Sequence, residues 1–201
     1  VQTCALPISA EEMGLPVFPV QHHYAHILSC MAENEWTTKK KVIGVSFDGT
    51  GYGTDGTIWG GEILLADYDS FKRWGCIEPF AQTGGDASAK EGWRIAVSLL
   101  GKIYGKEIAL SIIETLGLCK SKLAKLQFTM EERGINTVKS TSAGRLFDAV
   151  SAILGIRKAS TFEGEASTSL QFAAEKWLDS QEEKIAGYED FVESSWKEIE
   201  K

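Results

Sequence analysis

All three histidines of the chain lie within five consecutive positions, as His22, His23 and His26. On a helix, residues four apart differ by roughly 40° around the axis, so His22 and His26 would share one face. Two imidazoles on one helical face can chelate a single metal ion, as the paired histidines of zinc proteases do. A protease mechanism is not expected, because position 23 is His where that motif has its general-base Glu. The spacing of His23 and His26 leaves the choice of ligands open, and a polar helix start with solvated histidines is the competing interpretation.

A second candidate for chemistry is the glycine- and aspartate-rich stretch Asp48–Gly56, "DGTGYGTDG". It contains the G-x-G-x-x-G dinucleotide fingerprint, but that fingerprint needs a following helix, and the chain continues into the strand-like "TIWGGEILLADY". A calcium loop is excluded too, because the twelfth position counted from Asp48 is Trp59 rather than Glu. Two interpretations of this predicted tight turn remain. Either its small residues admit a phosphate to backbone N–H groups, or its glycines serve only the conformation of a β-hairpin.

The elements that must position these residues change in kind along the chain. We expect a short strand over Pro16–Gln21 and a helix from His22 to about Asn34. β-Branched and apolar runs then predict strands over Lys41–Phe47, Thr57–Tyr68 and Phe71–Phe80, with "YDS" as a turn. Apolar residues at three- and four-residue spacing predict the later helices, Lys90–Ile103, Glu107–Leu116, Ser121–Arg133, Arg145–Leu154 and Ala166–Leu178. The chain is therefore predicted to be an α/β protein, β-rich over its first 80 residues and mostly helical afterwards.

Composition excludes several classes of function. The formal net charge is -7, and Lys39–Lys41 is the most basic block, so a groove for nucleic acid is not supported. Apolar runs such as Ile108–Ile113 are far too short to span a bilayer. The 4 cysteines are widely spaced without a CxxC pair, which favours reduced thiols in a cytoplasmic protein, and we expect Cys30 to be a buried structural thiol.

Four stretches together resemble one family: "VQHHYAHILSCMAEN", "VIGVSFDGTGYGTDGTIWGGEILLADY", "PFAQTGGDASAKEGWR" and "STSAGRLFDAVSAILGI…TFEGEAS". It is the family of hydrogenase-maturation carbamoyltransferases, HypF, in the part that is similar to the catalytic subunit of the tRNA threonylcarbamoyl-transferase. The resemblance runs from about Pro16 to about Leu178. It implies a partial actin-like (ASKHA) nucleotide-binding fold. One departure is "EGWR" at Glu91–Arg94, where the family has "EPWR".

The resemblance implies a carbamoyltransferase. Such an enzyme moves the carbamoyl group from ATP-derived carbamoyl adenylate to the C-terminal cysteine thiol of the partner HypE, on the way to the cyanide ligand of the [NiFe]-hydrogenase centre. Neither nucleic acid nor membrane is an expected partner. Two alternatives stay open: an O-carbamoyltransferase of the antibiotic or nodulation type, and a non-catalytic fragment that binds only metal or a partner protein.

The resemblance also implies residue roles. His22 and His26 correspond to a metal-binding pair for zinc or iron, and Asp48 is a candidate further ligand. The nucleotide-binding positions implied by the family are Asp48, Gly49, Thr50, Gly51 and Tyr52 in the phosphate loop, Asp148 at the ribose, and Gly164. For Asp148 the alternative is a helix-surface charge paired with Arg145 or Lys158.

The chain is expected to fall into three parts. Val1–Ile8 matches a translated sequencing adapter and is interpreted as a scar. Residues 9–178 form the partial carbamoyltransferase domain, and residues 179–201 form an acidic helical tail that continues a truncated domain. We expect the isolated chain to be inactive alone, with a further metal ligand outside it.

Overall fold

In the computed structural model, which describes residues 12–14 and 16–180, one helix precedes a run of strands. The described elements of this half are α1 (His22–Glu33), β1 (Val42–Tyr52), β2 (Ile58–Ala66), β3 (Phe71–Cys76) and β4 (Phe80–Thr83). The helix and strands β1 and β2 confirm the sequence prediction, whereas the strand predicted over Phe71–Phe80 ends at Cys76, and a separate strand begins at Phe80. The strand predicted over Pro16–Gln21 is wrong, since that stretch has no regular structure. Pro16 and Pro19 lack the N–H group that a sheet ladder needs.

Helices dominate the second half, as predicted. They are α2 (Ala87–Lys90), α3 (Gly92–Tyr104), α4 (Lys106–Thr115), α5 (Ser121–Glu132), α6 (Ala143–Ile153) and α7 (Glu165–Asp179). A short strand that the sequence did not reveal, β5 (Thr137–Ser140), separates α5 from α6. None of the helices in residues 12–14 and 16–180 is long and apolar enough to cross a lipid bilayer. The predicted scar and almost all of the predicted acidic tail lie outside the described residues.

The five strands form one mixed sheet in the order β1–β2–β5–β4, with β3 also paired to β2. Both β1 and β3 run antiparallel to β2, whereas β5 runs parallel to it at the pair Ile58 and Ser140. β3 and β5 therefore share one edge of β2, because β3 pairs with residues 62–66 and β5 with residue 58. The other edge of β2 carries β1 along its whole length.

The described residues divide into two compact units, the first within Val1–Phe80 and Val138–Ala143 and the second within Ala81–Thr137 and Gly144–Lys201. The core of the first unit forms where α1 packs on β1 and β2. Its buried side chains are Tyr24, Ile27, Met31, Trp59, Leu64 and Ala66. The first three recur at three- and four-residue spacing, so α1 buries one face.

The second unit has a separate helical core. α3, α4 and α5 pack on one another through side chains that include Ile95, Val97, Leu100, Ile113 and Phe128. Polar groups are buried among them as a hydrogen-bonded cluster, in which Gln127 Nε2 donates to Ser98 Oγ at 3.0 Å and to Glu131 Oε1 at 3.1 Å, while Gln127 Oε1 has no partner. These hydrogen bonds offset the desolvation of the groups that make them.

Candidate metal centre and glycine bulge

Two of the three histidines meet an aspartate at the edge of the first unit. His22 Nε2 donates to Asp48 Oδ2 at 2.8 Å, and His26 Nε2 lies 3.2 Å from His22 Nε2. One ligand atom from each of the three residues falls within 4.8 Å of the others. Three basic atoms therefore converge on one point, an arrangement that a shared cation stabilises.

The donor set fits a divalent metal. Bonds of about 2.0–2.1 Å to a tetrahedral zinc ion place neighbouring ligand atoms roughly 3.3 Å apart. The distance of 3.2 Å between the two imidazole nitrogens matches that spacing, and the shorter contact to Asp48 would open slightly. Two histidines and one carboxylate suit both zinc and ferrous iron.

The start of α1 presents the two histidines. Gln21 is the N-cap, and its side-chain Oε1 accepts from the backbone N–H of Tyr24 at 2.9 Å. The apolar face of the helix is turned to β1 and β2, as Ile27 and Met31 are buried there. His22 and His26 consequently lie on an exposed face, beside the end of β1 that carries Asp48.

His23 differs from its neighbours because its side chain is completely buried. Gln21 Nε2 lies 3.1 Å from His23 Nδ1, and the ring is 6.1 Å from that of Trp59. Burial, and then the charge of His22, lowers the pKa of His23. The structure therefore separates the three histidines into two that face the candidate metal position and one that belongs to the core.

The predicted phosphate loop begins as a strand rather than as a turn. β1 continues through Tyr52, and the turn follows at residues 53–57. In the ladder Phe47 pairs with Gly61 and Gly51 pairs with Trp59, so three residues of β1 stand opposite one residue of β2. The tight turn expected over Asp48–Gly56 is therefore present only in its second half, because the small residues of Asp48–Tyr52 form a bulge that keeps the strand paired on both sides.

The groups of this bulge already have partners within the first unit. Asp48 Oδ1 accepts from the N–H of Gly49 at 2.6 Å, which leaves Oδ2 towards the histidines. Ser142 Oγ donates to Gly49 O at 2.7 Å and to Asp48 O at 3.2 Å. Thr50 and Tyr52 are exposed. The Ser142 hydroxyl therefore holds the backbone of the bulge, and the N–H of Gly49 orients the carboxylate of Asp48.

Gly51 lies directly against the histidines. A Cβ atom built there would be 2.3 Å from Cε1 of His23 and 2.9 Å from Cδ2 of His22. No side chain fits in this space without moving a ring. The close approach of β1 to the start of α1 explains the glycine at this position, whatever else the loop binds.

An ion pair between β2 and β3, whose acid is buried, was not found from the sequence. Glu62 is completely buried in β2, and Arg73 Nε donates to its Oε2 at 2.6 Å. Arg73 also donates to Asp55 Oδ2 at 3.1 Å and lies over the ring of Trp59 at 4.1 Å from the centroid. Burial lowers the pKa of Arg73, but the hydrogen bond and charge of Glu62 outweigh it and raise the pKa overall. An acid in the middle of the apolar run "IWGGEILLA" was the signal available in the sequence.

Asp148 lies in the second unit, on α6. It is paired with Arg145, whose Nη2 is 2.9 Å from Asp148 Oδ2. The alternative of a helix-surface charge anticipated this pairing, but the aspartate is buried. Burial raises the pKa of Asp148, and Arg145 opposes that rise.

Gly164 also lies in the second unit, as the N-cap of α7. Its φ of 78° is left-handed, a conformation that favours glycine. Glu165, in the first turn of α7, is buried, and its Oε2 accepts from both the N–H and the hydroxyl of Thr161 at 2.6 and 2.9 Å. The backbone hydrogen bond from Thr161 lowers the pKa of Glu165. The sequence-predicted site residues thus divide between the units, with His22, His26 and Asp48 gathered in the first.

Cys30 is exposed, so the prediction of a buried structural thiol is wrong. Its position four residues after His26 places it on the exposed side of α1. Cys76 is also exposed, and Cys119 is half-buried. These three described cysteines are free thiols.

Comparison with known proteins identifies the family. Residues 44–199 match the family model "Carbamoyltransferase, Kae1-like Domain, second subdomain", and residues 4–33 match the model "HypF Kae1-like domain". The chain belongs to the HypF carbamoyltransferase family. It is 40% identical over 167 residues to carbamoyltransferase HypF of Rhodobacter capsulatus, which covers 82% of this chain and 22% of that protein. It is 36% identical over 163 residues to HypF of Rhizobium leguminosarum, covering 81% of this chain and 21% of that protein.

Solved HypF structures share the fold. The chain matches a crystal structure of full-length HypF in a phosphate- and nucleotide-bound form with a TM-score of 0.69 and 39% identity, over 77% of this chain and 20% of that one. It matches HypF of T. kodakarensis with a TM-score of 0.68 and 31% identity, over 84% of this chain and 22% of that one. The resemblance inferred from the sequence and the α/β, actin-like subdomain are thereby confirmed. The chain spans about a fifth of the length of these relatives.

Proposed function

We propose that this chain forms part of the carbamoyl-transfer domain of a HypF-type enzyme. That domain moves a carbamoyl group from carbamoyl adenylate to the C-terminal cysteine thiol of HypE. The observation that carries the proposal is the convergence of His22, His26 and Asp48 beside the glycine bulge, in a chain of the HypF family. In the transfer, the thiol sulfur bonds to the carbamoyl carbon and the bond from that carbon to the adenylate phosphate oxygen breaks. The thiol proton passes to solvent, and the products are a thiocarbamate and AMP.

In this proposal the three residues hold a divalent cation, zinc or iron. When bound, such a cation supplies Lewis-acid stabilisation to carbamoyl or phosphate oxygens. The chain's own groups set the position: α1 fixes the two imidazoles, and the Gly49 N–H orients the carboxylate of Asp48. Neutral His23 stays in the core.

In this proposal Asp48–Tyr52 bind the phosphate of the nucleotide, and Asp148 and Gly164 are further nucleotide-binding positions implied by the family relationship. Support comes from the family relationship and from the bulge, whose Thr50 and Tyr52 side chains are exposed. Asp148→Asn should weaken the affinity for a non-hydrolysable carbamoyl-adenylate analogue by about 10- to 100-fold, because the charged acceptor of the hydrogen bond is replaced by a neutral amide. Exposed Glu163→Gln serves as the control. Equal calorimetric affinity of both variants would refute the assignment of Asp148.

The test of transfer uses the full-length protein that carries this chain, ready-made carbamoyl adenylate and two acceptors, a HypE C-terminal peptide and an aminoglycoside sugar. A carbamoyl adduct on the peptide cysteine, seen by mass spectrometry, is the expected result. Carbamoylated sugar would instead support the O-carbamoyltransferase, and no adduct on either acceptor would support a non-catalytic fragment. The isolated 201-residue chain is expected to give no adduct.

The metal site has its own test. Elemental analysis of purified His22→Ala and His26→Ala should show a sharp loss of bound metal, and substitution of His23 should matter less. Equal metal content in all three variants would overturn the ligand assignment.

A further inference from the structure

The tautomer of His23 follows from the cap of α1. Gln21 Oε1 accepts from the backbone N–H of Tyr24, so the other end of this side chain must be its NH2 group. That group donates to Tyr52 O at 3.1 Å and lies 3.1 Å from His23 Nδ1. Since an NH2 group only donates, Nδ1 of His23 is the acceptor. The ring proton of His23 is therefore on Nε2.

That proton is buried without a partner. His23 Nε2 makes no hydrogen bond although it is shielded from solvent. It lies 3.9 Å from Asp48 Oδ2, about 1 Å beyond the reach of a hydrogen bond. Unpaired buried donors are rare in folded proteins, and each calls for an explanation.

The nearest acceptor, Asp48 Oδ2, is turned towards His22 in this structure. Asp48 Oδ2 accepts from His22 Nε2 at 2.8 Å, which requires the ring proton of His22 on that nitrogen. A histidine that binds a metal through Nε2 has no proton there. Once His22 and Asp48 hold a cation together, bonds to the cation replace this hydrogen bond, and the carboxylate, no longer held by His22 Nε2, keeps a lone pair for a second donor.

We propose that His23 is a positioning residue whose buried Nε2–H donates to the carboxylate of Asp48 when Asp48, His22 and His26 hold a divalent cation. This inference rests on the proposed function and adds a role for the third histidine. Ligating side chains in metal sites are characteristically held by such outer hydrogen bonds, and their removal weakens metal binding. A shift of about 1 Å in the partly exposed carboxylate completes the contact.

Two matched substitutions separate this role from simple packing. His23→Gln places an amide near the position of Nε2 and keeps a donor towards Asp48, whereas His23→Asn reproduces only the acceptor at Nδ1. Cobalt titration of each variant of the full chain, followed by visible absorption, gives a Kd without any activity assay. We expect His23→Asn to bind Co²⁺ about 10- to 100-fold more weakly than the wild type, and His23→Gln to bind nearly as well.

The controls distinguish the two proposals. If His22→Ala binds Co²⁺ as the wild type does, or if the wild type binds none, the metal site itself is wrong. If His22→Ala loses binding while His23→Asn and His23→Gln behave alike, only the role of His23 is wrong. A second measurement needs no substitution: the Nε2–H proton of His23, observed by ¹⁵N–¹H NMR, should move downfield when Zn²⁺ is added. An unchanged resonance in a sample that binds zinc would overturn the inference.

Discussion

Gly51→Ala should expose how closely the bulge of β1 packs on the buried histidine. The new methyl group would stand 2.3 Å from Cε1 of His23, whereas carbon atoms normally rest about 3.5–4.0 Å apart. The overlap is therefore about 1.2–1.7 Å. Gly51 is held opposite Trp59 in the β1–β2 ladder, and the His23 ring is hydrogen-bonded to Gln21. Since neither side moves freely, the substitution should lower the free energy of unfolding by about 1–3 kcal/mol, the usual cost of overpacking.

The double mutant tests the cause of this loss. His23→Ala alone removes a buried ring and should cost about 2–5 kcal/mol, the range for large-to-small substitutions in cores. In Gly51→Ala combined with His23→Ala, the added methyl occupies space that the ring has left. The double mutant should thus be about as stable as His23→Ala, with an interaction energy of about 1–3 kcal/mol in favour of the pair.

The assay is urea unfolding followed by circular dichroism, with the four proteins compared at equal pH and without metal. Gly75→Ala is the control, because a Cβ atom there would have its nearest neighbour at 3.7 Å, an ordinary contact. It should change stability little. If the two site substitutions add within about 0.5 kcal/mol, the steric explanation of Gly51 is wrong.

Three further results are expected. At about pH 8 iodoacetamide should modify Cys30 before Cys119. Burial raises the pKa of the Cys119 thiol, so less of it is in the reactive thiolate form. Faster labelling of Cys119 in a peptide-mapping time course would contradict this. The hydrogen bond from Thr161 lowers the pKa of Glu165 in the folded protein. The stability that the ionised carboxylate contributes is therefore present above the pKa of an unfolded Glu, about 4.3, and is lost as the pH falls through the lower pKa of the folded state. The stability gap between wild type and Glu165→Gln should therefore narrow in acid, and a constant gap from neutral to acid pH would argue against the assignment. Gly92→Ala should lower the free energy of unfolding by about 1–3 kcal/mol, since its Cβ would lie 2.7 Å from a backbone carbonyl oxygen of α6. If the substitution instead raises stability, as Gly→Ala normally does within a helix, the close contact is wrong.

Local patterns in the sequence were sufficient to predict most elements. The helix from His22 and the strands around Lys41–Phe47 and Thr57–Tyr68 appear with ends shifted by a few residues. Helical spacing and alternation are properties of neighbouring residues, so they can be read without knowing the fold. Short β5 was missed because four residues carry too little periodicity to distinguish a strand from a loop.

The candidate metal site was only half predictable by the same reasoning. The pairing of His22 with His26 follows from the four-residue repeat of a helix. The part played by Asp48 does not, because it lies 26 residues further on and reaches the histidines only through the packing of α1 on the sheet. The family resemblance pointed to Asp48, and the bulge of β1 explains how its carboxylate turns towards the helix.

The sequence by itself determined that a histidine pair would stand on one helical face, near a glycine-rich segment, in a protein of the HypF family. Only the tertiary structure decided that His23 is buried, that Gly51 is needed to admit it, and that Glu62 and Arg73 form an ion pair. His22 and His23 are adjacent residues of one type and have the same local propensity. They differ in burial because a different surface faces each side chain. That surface is assembled from distant strands, so burial, register and charge pairing emerge only when those strands come together.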